Sequence, residues 1–437
     1  MEGLLGVFAN EIINDLTLDI SNKELKTFPE INENIRVQII YCNNNKLTKL
    51  PDSNEKLKQL LLLDCSNNKL TKLPDSIEKL KRLLLLDCSN NKLTKLPDSI
   101  GFVSNLNELK VNGNKLVNLP DSICQLSSLR VLRCSENKLR NLPDLIGSLS
   151  NLNELNVNGN KLVSLPDSIG SLNNLIVLEI CRNEITSLPD SIGNLSSLEI
   201  FECDFNDLTG FPDSICSLNN LRELRCSDNQ LTSLPESIGN LNNLQIINCN
   251  YNQITSLPES IRNLSNLQSL FCGRNKLIVL PDSLVNLSRL ELLEVSNNQL
   301  TSLPKSICNL NNLFELWCEY NQLTSLPESI KQLTQLGVLD CSHNQLTSLP
   351  ESIGNLNNLL ELYCNYNHLS SLPESLFDRR RLKFIYKNNP IHDKCSNLKK
   401  YKVFLQKEKN KFAKIIKILN EQLLLDLDTV SVILSFA

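Results

Sequence analysis

The side chains with the most chemical potential in this sequence are its thiols. Cys42, Cys65, Cys88, Cys134, Cys203, Cys226, Cys249, Cys272, Cys318, Cys341 and Cys364 are spaced by 23 residues or multiples of 23. Thiols in such number could close disulfides, ligate zinc or attack as thiolates. Their placement argues against all three. Val111, Val157, Ile180 and Val295 occupy the same place in other copies of the spacing. Interchange with Val and Ile marks an inward site where Cys acts as a small apolar residue. Strands about 4.8 Å apart carry parallel Cβ vectors, whereas a disulfide needs Cβ atoms about 3.8 Å apart. Zinc needs four ligands converging on a point, and a ladder does not converge. Cys124, Cys216 and Cys308 lie 92 residues, four repeats, apart and record duplication.

The histidines are His343, His368 and His392. His343 is near Cys341 in sequence, but the thiol points inward and the imidazole outward, so they are not a nucleophile and its base. There is no G-x-x-x-x-G-K-[ST] phosphate loop and no Gly-rich dinucleotide turn. A catalytic domain would need residues outside the repeats, where the two ends supply only roughly sixty. The expectation is a protein that is not an enzyme and needs no metal or cofactor.

The elements that position these residues follow from the period. Asn45 is followed at steps of 23 by fourteen further asparagines, ending at Asn367, without an insertion. The unit reads L-x-x-L-x-C-x-x-N-x-L-T-S-L-P-x-S-I-x-x-L-x-x, counted below as positions 1 to 23. Degenerate units at Pro29 and Asn389 bring the total to about seventeen. Positions 1 to 8 read as a short strand with Leu, Leu and Cys inward. Asn at position 9 sits in the bend, where its amide can bond backbone groups that the turn leaves unpaired. Leu at 11, 14 and 21 and Ile at 18 fill the interior, and Pro at 15 prevents a regular strand on the return. One unit cannot bury its own apolar edge, so stability accrues by stacking.

The run "LTSLPESIGNLNNLQ" resembles the 23-residue leucine-rich repeat class of Ras-binding scaffolds, plant intracellular Ras-group proteins and Roco proteins. The resemblance covers residues 17–391. The near-identical tandem units and the shortage of Ala, present three times, also resemble repeat proteins of giant DNA viruses or amoebae. The resemblance implies an α/β fold: a curved leucine-rich repeat solenoid with a parallel sheet on its concave face and 3₁₀ or extended segments on the convex side. By analogy it also implies a small GTPase as partner.

Three regions are expected: an N-terminal cap at 1–16, the array at 17–391 and a basic helical cap at 392–437. Net charge is −4, but residues 394–421 carry nine Lys and two Glu, leaving −11 for the rest. In the cap, Leu398, Tyr401, Leu405, Phe412, Ile415, Ile416, Leu419 and Leu423 recur at helical spacing, with lysines mostly on the other face. The lysines read first as a solvated cap face. A contact for an acidic partner, RNA or an anionic membrane is the functional alternative. No stacking aromatics accompany them, so nucleic acid is not the expected partner. The N-terminus has an early Glu2 and no basic stretch, unlike a signal peptide, and no apolar run is long enough to span a membrane. Sixteen Cys without a secretory signal imply reduced thiols and a cytoplasmic location, the host cytoplasm if the source is viral.

Information is concentrated where the repeat varies, at strand positions 3, 5, 7 and 8. Aromatics gather there in the C-terminal half, as Tyr251, Phe271, Trp317, Tyr320, Tyr363 and Tyr366, with His343 among them. Glu294, Glu315, Asp340 and Glu361 make that face acidic. Trp317, the only tryptophan, has no packing duty at position 5 and is the expected centre of a protein-binding surface. The competing reading is repeat drift, with aromatics persisting because they suit strands. Lys110, Arg133 and Arg225 read as drift, since Glu108 and Glu223 sit beside two of them. The expected function is a non-catalytic interaction scaffold whose concave face takes a protein partner with a basic or mixed segment. The alternatives are tethering to an anionic membrane or nucleic acid through the basic C-terminal helix, and a ubiquitin-ligase substrate adaptor. The oligomeric state stays open.

Overall fold

The structure, a computed structural model, describes residues 16–30, 37–52, 57–377, 379–395 and 397–423, with no side-chain description at 393, 394 and 415–423. It divides into two units, Met1–Lys276 and Leu277–Ala437. The first holds strands β1 (Thr17–Asp19) to β12 (Ser269–Phe271). The second holds β13 (Leu292–Glu294), β14 (Glu315–Trp317), β15 (Val338–Asp340), β16 (Glu361–Tyr363) and β17 (Lys383–Ile385). Within each unit, neighbouring strands are parallel and in register by one repeat, as Leu316 beside Leu339 and Leu339 beside Leu362.

Each strand is three residues long, positions 3 to 5, rather than the eight-residue segment expected. Two features stop it. Position 8 has positive φ throughout the array, from Asn44 at 53° to Asn388 at 54°, with Gly113 and Gly159 among its occupants. A left-handed residue cannot continue a strand. Just beyond it, the position-9 asparagine claims the nearby carbonyls. Asn321 Nδ2 donates to Cys318 O (3.1 Å), Glu319 O (3.3 Å) and, one repeat back, Val295 O (2.9 Å). Its Oδ1 accepts the Leu300 N–H at 3.0 Å. The same pattern joins Asn68 to Cys42 and Leu47, and Asn344 to Cys318 and Leu323. Each asparagine therefore fixes its own bend and staples it to the preceding repeat.

The return segment is a 3₁₀ turn in most repeats, as at Glu328–Gln332. Pro327 stands at its start with φ −67°, where no N–H is needed, and its carbonyl accepts the Ile330 N–H at 3.0 Å. Leu313, Leu316, Cys318, Leu323, Ile330 and Leu333 are buried between the strand and this segment. All sixteen cysteines are free and buried. Among the described residues no group of His, Cys, Asp and Glu is arranged to hold a metal, and no helix is long and apolar enough to cross a membrane.

At the C-terminus, α1 (Pro390–Lys394) and α2 (Leu398–Leu423) follow β17. Asn397 Oδ1 accepts the Lys400 N–H at 2.9 Å and caps the start of α2. The buried Tyr401 accepts the Leu372 N–H at its hydroxyl (3.1 Å) and meets Phe377 edge-on at 5.7 Å. Tyr386 donates to Cys395 O at 3.0 Å, and Lys409 pairs with Glu374 at 2.7 Å. Phe412 shares the helix face of Tyr401 and Leu405 yet is 49% exposed, so the apolar stripe runs on past its contacts with the repeat. Of the expected N-terminal cap, residues 1–15 lie outside the described residues, as do the side chains of Ile415, Ile416, Lys417, Leu419 and Leu423.

Candidate interaction site

β14 sets the centre of the candidate site. Leu316 points into the core and the alternation of the strand turns Glu315 and Trp317 to the opposite face, both half-buried. The indole Nε1–H donates to Glu315 Oε2 at 2.8 Å, which holds the ring in one orientation. Register then places Glu294 on one side of Trp317 and Asp340 on the other, with Tyr363 beyond Asp340. β16 repeats the acid–aromatic pair: the Tyr363 hydroxyl donates to Glu361 Oε2. Lys383 Nζ lies 4.9 Å from the Tyr363 ring centroid and 3.3 Å from Glu361 Oε2.

The carboxylates are not equivalent. Burial raises the Asp340 pKa against hydrogen bonds from Ser342 and the opposing pull of His343. Burial also raises Glu319 at position 7, where Ser296 opposes the shift and the charges of Asp340 and Glu294 add to it. Glu361 is lowered by the Tyr363 and Lys383 hydrogen bonds. The face thus combines crowded, partly desolvated negative charge at Glu319 and Asp340 with a carboxylate at Glu361 that already has a cation.

The expectation that Tyr320 shares a strand with Trp317, and Tyr366 with Tyr363, is corrected by the backbone. Tyr320, His343 and Tyr366 lie three residues beyond their strands, in the left-handed turn, with φ 54°, 52° and 52°. Their rings form a column along the array. Tyr320 and His343 stack at 4.0 Å and 11°, and His343 and Tyr366 at 4.1 Å and 16°. The signal for this turn was in the sequence: Asn44, Asn67, Asn90, Gly113, Gly159, Asn297 and Asn388 share the position, and these residue types tolerate positive φ. Strand preference therefore does not explain aromatics at position 8.

Tyr251 and Phe271 belong to the first unit. Tyr251 lies in the same left-handed turn and carries the Arg274 guanidinium 4.7 Å from its ring centroid. Phe205 carries Arg182 at 4.8 Å in the same way. Phe271 is half-buried at the end of β12, beside Asn248. The strand residues Lys110, Arg133 and Arg225 of this unit are matched by neighbours: Lys110 by Glu108 at 2.9 Å, Arg133 by Glu154 at 2.5 Å, and Arg225 by Glu223 and Glu202.

Arg379 is a structural residue that sequence reasoning passed over. It stands where position 21 is Leu in the regular units. Its guanidinium donates to the carbonyls of Gly354 (3.0 Å), Leu356, Asn357 (3.2 Å) and Leu359 (2.9 Å). One side chain thereby satisfies the carbonyls of the preceding turn where the repeat ends. The break from Leu to Arg at a core position was the available signal.

One family model, for a leucine-rich repeat region, matches residues 112–226 and 211–320, and a second, for a leucine rich repeat, matches 59–80 and 335–356. No curated protein sequence matches. Among solved structures, a leucine-rich repeat protein of Leptospira interrogans is 32% identical with a TM-score of 0.70, the match covering 89% of this chain and 94% of that one. The plant peptide hormone receptor RGFR1, solved with RGF2, is 29% identical with a TM-score of 0.69, covering 86% of this chain and 65% of the receptor chain. The functional domain of InlJ from Listeria monocytogenes, described as including a cysteine ladder, is 27% identical with a TM-score of 0.65, covering 75% and 68%. With the asparagine staples and the parallel three-residue strands, these matches place the chain among the leucine-rich repeat proteins.

Proposed function

We propose that the chain is a non-catalytic scaffold that binds a protein partner on the sheet face of its second unit, through a segment carrying Lys or Arg. The observation that carries this reading is Trp317, a half-buried indole fixed by Glu315 and flanked in register by Glu294 and Asp340. Tryptophan on a surface with no packing duty is the residue type most often responsible for binding energy. The position-8 column adds a second argument. Holding a bulky residue at positive φ costs about 1–2 kcal/mol; Asn or Gly fills the same turn without it in other repeats, whereas Glu136, Arg182 and Arg274 also bear it in the first unit. Strain of this kind concentrates at functional sites. RGFR1 is described as a peptide hormone receptor, which supports peptide binding by this architecture as analogy. The 23-residue repeat class adds a small GTPase as a candidate partner, and sixteen free thiols fit a reducing, cytoplasmic setting.

The test is capture from cell lysate with the wild-type chain and a variant carrying Trp317→Ala, Tyr320→Ala, Tyr363→Ala and Tyr366→Ala. A protein retained by wild type and lost from the variant supports the reading. Capture that the variant leaves unchanged overturns it.

A second reading has its own observation. Lys399, Lys400, Lys402, Lys407, Lys409, Lys411 and Lys414 are exposed on α2 beside the exposed Val403 and Phe412, a pattern that suits an anionic surface. Lys402→Glu, Lys411→Glu and Lys414→Glu together would abolish that tethering. Truncation at Pro390 would not be a clean test, because it removes Tyr401 and Cys395 from the end of the array.

A further inference from the structure

The second unit carries another surface, opposite in sign to the Trp317 face, at the edge where its strands begin. Phe314, Gly337 and Leu360 precede β14, β15 and β16. Gly337 donates to Phe314 O and Leu360 donates to Gly337 O, each at 2.8 Å. The glycine has a steric reason: a Cβ at Gly337 would collide with the Phe314 ring, which lies over it. Phe314 is 45% and Leu360 50% exposed, so two apolar side chains flank a residue that has none. Together with Asn357 and the Arg379–Arg381 run they line an open hollow of about 590 Å³.

The three arginines divide by role. Arg379 is committed to four carbonyls of the preceding turn. That commitment fixes the loop from which Arg380 and Arg381 project, both exposed. Neither makes an ion pair among the described residues, and no carboxylate is among the described residues lining the hollow. The hollow therefore presents two guanidinium groups, a phenyl ring, a leucine and the exposed amide of Asn357.

We propose that this hollow binds an acidic peptide segment bearing an apolar side chain. The peptide carboxylates pair with Arg380 and Arg381, whose forked donors match their geometry. The apolar side chain covers Phe314 and Leu360, and the Asn357 amide meets the peptide main chain. A bare inorganic anion would use the arginines and leave the apolar pair wet, which is why a peptide fits better. The site is separate from the Trp317 face and does not depend on it.

The test is fluorescence anisotropy of the full chain with a short fluorescein-labelled peptide of alternating Leu and Glu. Saturable binding is expected, weakened about tenfold or more by Arg380→Ala with Arg381→Ala, weakened also by Phe314→Ser, and unchanged by Trp317→Ala. Measured in a Trp317→Ala background, so that the acidic sheet face does not take the basic peptide, Arg380→Glu with Arg381→Glu should transfer binding to the matching Leu–Lys peptide, an exchange that a misfolded variant could not make. No saturation by about 1 mM protein, equal binding by the arginine variants, or full displacement by inorganic phosphate would each overturn the proposal.

Discussion

Trp317 and Glu315 stand two residues apart on one face of β14, and the indole N–H donates to the carboxylate at 2.8 Å. The contact orients the ring and leaves part of it exposed, so the pair should matter more to recognition than to folding. Trp317→Ala is expected to change stability by no more than about 1 kcal/mol, the centre of the range for point substitutions. The same change should weaken the captured partner by about 2 kcal/mol or more, the scale of a binding hot spot. Urea denaturation and a binding isotherm on one preparation check both. A large loss of stability with unchanged affinity would make Trp317 a packing residue.

The left-handed turn gives a prediction with two arms. Glu136 occupies it at φ 51° with no aromatic neighbour to stack on. Glu136→Asn should stabilise the chain by about 0.5–1 kcal/mol, because Asn tolerates that conformation. Tyr366→Asn relieves the same strain but loses the stack on His343, which is worth a similar amount. It should therefore leave stability nearly unchanged while weakening the partner. A clear stability loss for Glu136→Asn would show that positive φ carries no cost here.

The architecture was legible because the period is strict: Leu316, Cys318, Asn321 and Pro327 each recur with one physical duty, and the structure gives each that duty. The strand length was not legible, because Leu and Cys alternate across positions 4 and 6 as a longer strand would. The asparagine staple and the positive φ cut it short. Arg379 escaped for a different reason. Pattern reading scores its position as a lost leucine, whereas the contacts of a guanidinium to four carbonyls exist only after the chain has turned. The candidate face was legible as a set of residue types at position 5, but the ring column depended on backbone geometry at position 8.

The thiols should be silent in the native state. Burial pushes Cys134 up to about 12 and raises Cys203, Cys226 and Cys318 well above the ordinary thiol range. A thiol so raised and covered is neither thiolate nor accessible. Reaction with a small aromatic disulfide at neutral pH should be limited by local opening and should accelerate with urea. Prompt reaction of several thiols in buffer would contradict the burial.

The crowded carboxylates make binding and stability depend on pH in a direction that can be worked out. Burial raises Glu319 and Asp340 in the second unit, and Glu179, Glu202 and Asp204 in the first. A carboxyl with a raised native pKa binds more protons folded than unfolded between the two pKa values. Stability then falls as pH rises through that window, above about 4, and is recovered on acidification. A basic partner reverses the balance at Glu319 and Asp340, because a cation favours the ionised form. Its binding should release protons, and its affinity should fall as pH drops through the raised pKa of Asp340. Denaturation midpoints and binding isotherms between about pH 4.5 and 7.5 test this. Asp340→Asn should flatten the dependence of affinity. An affinity indifferent to pH in wild type would remove Asp340 and Glu319 from the partner's contact.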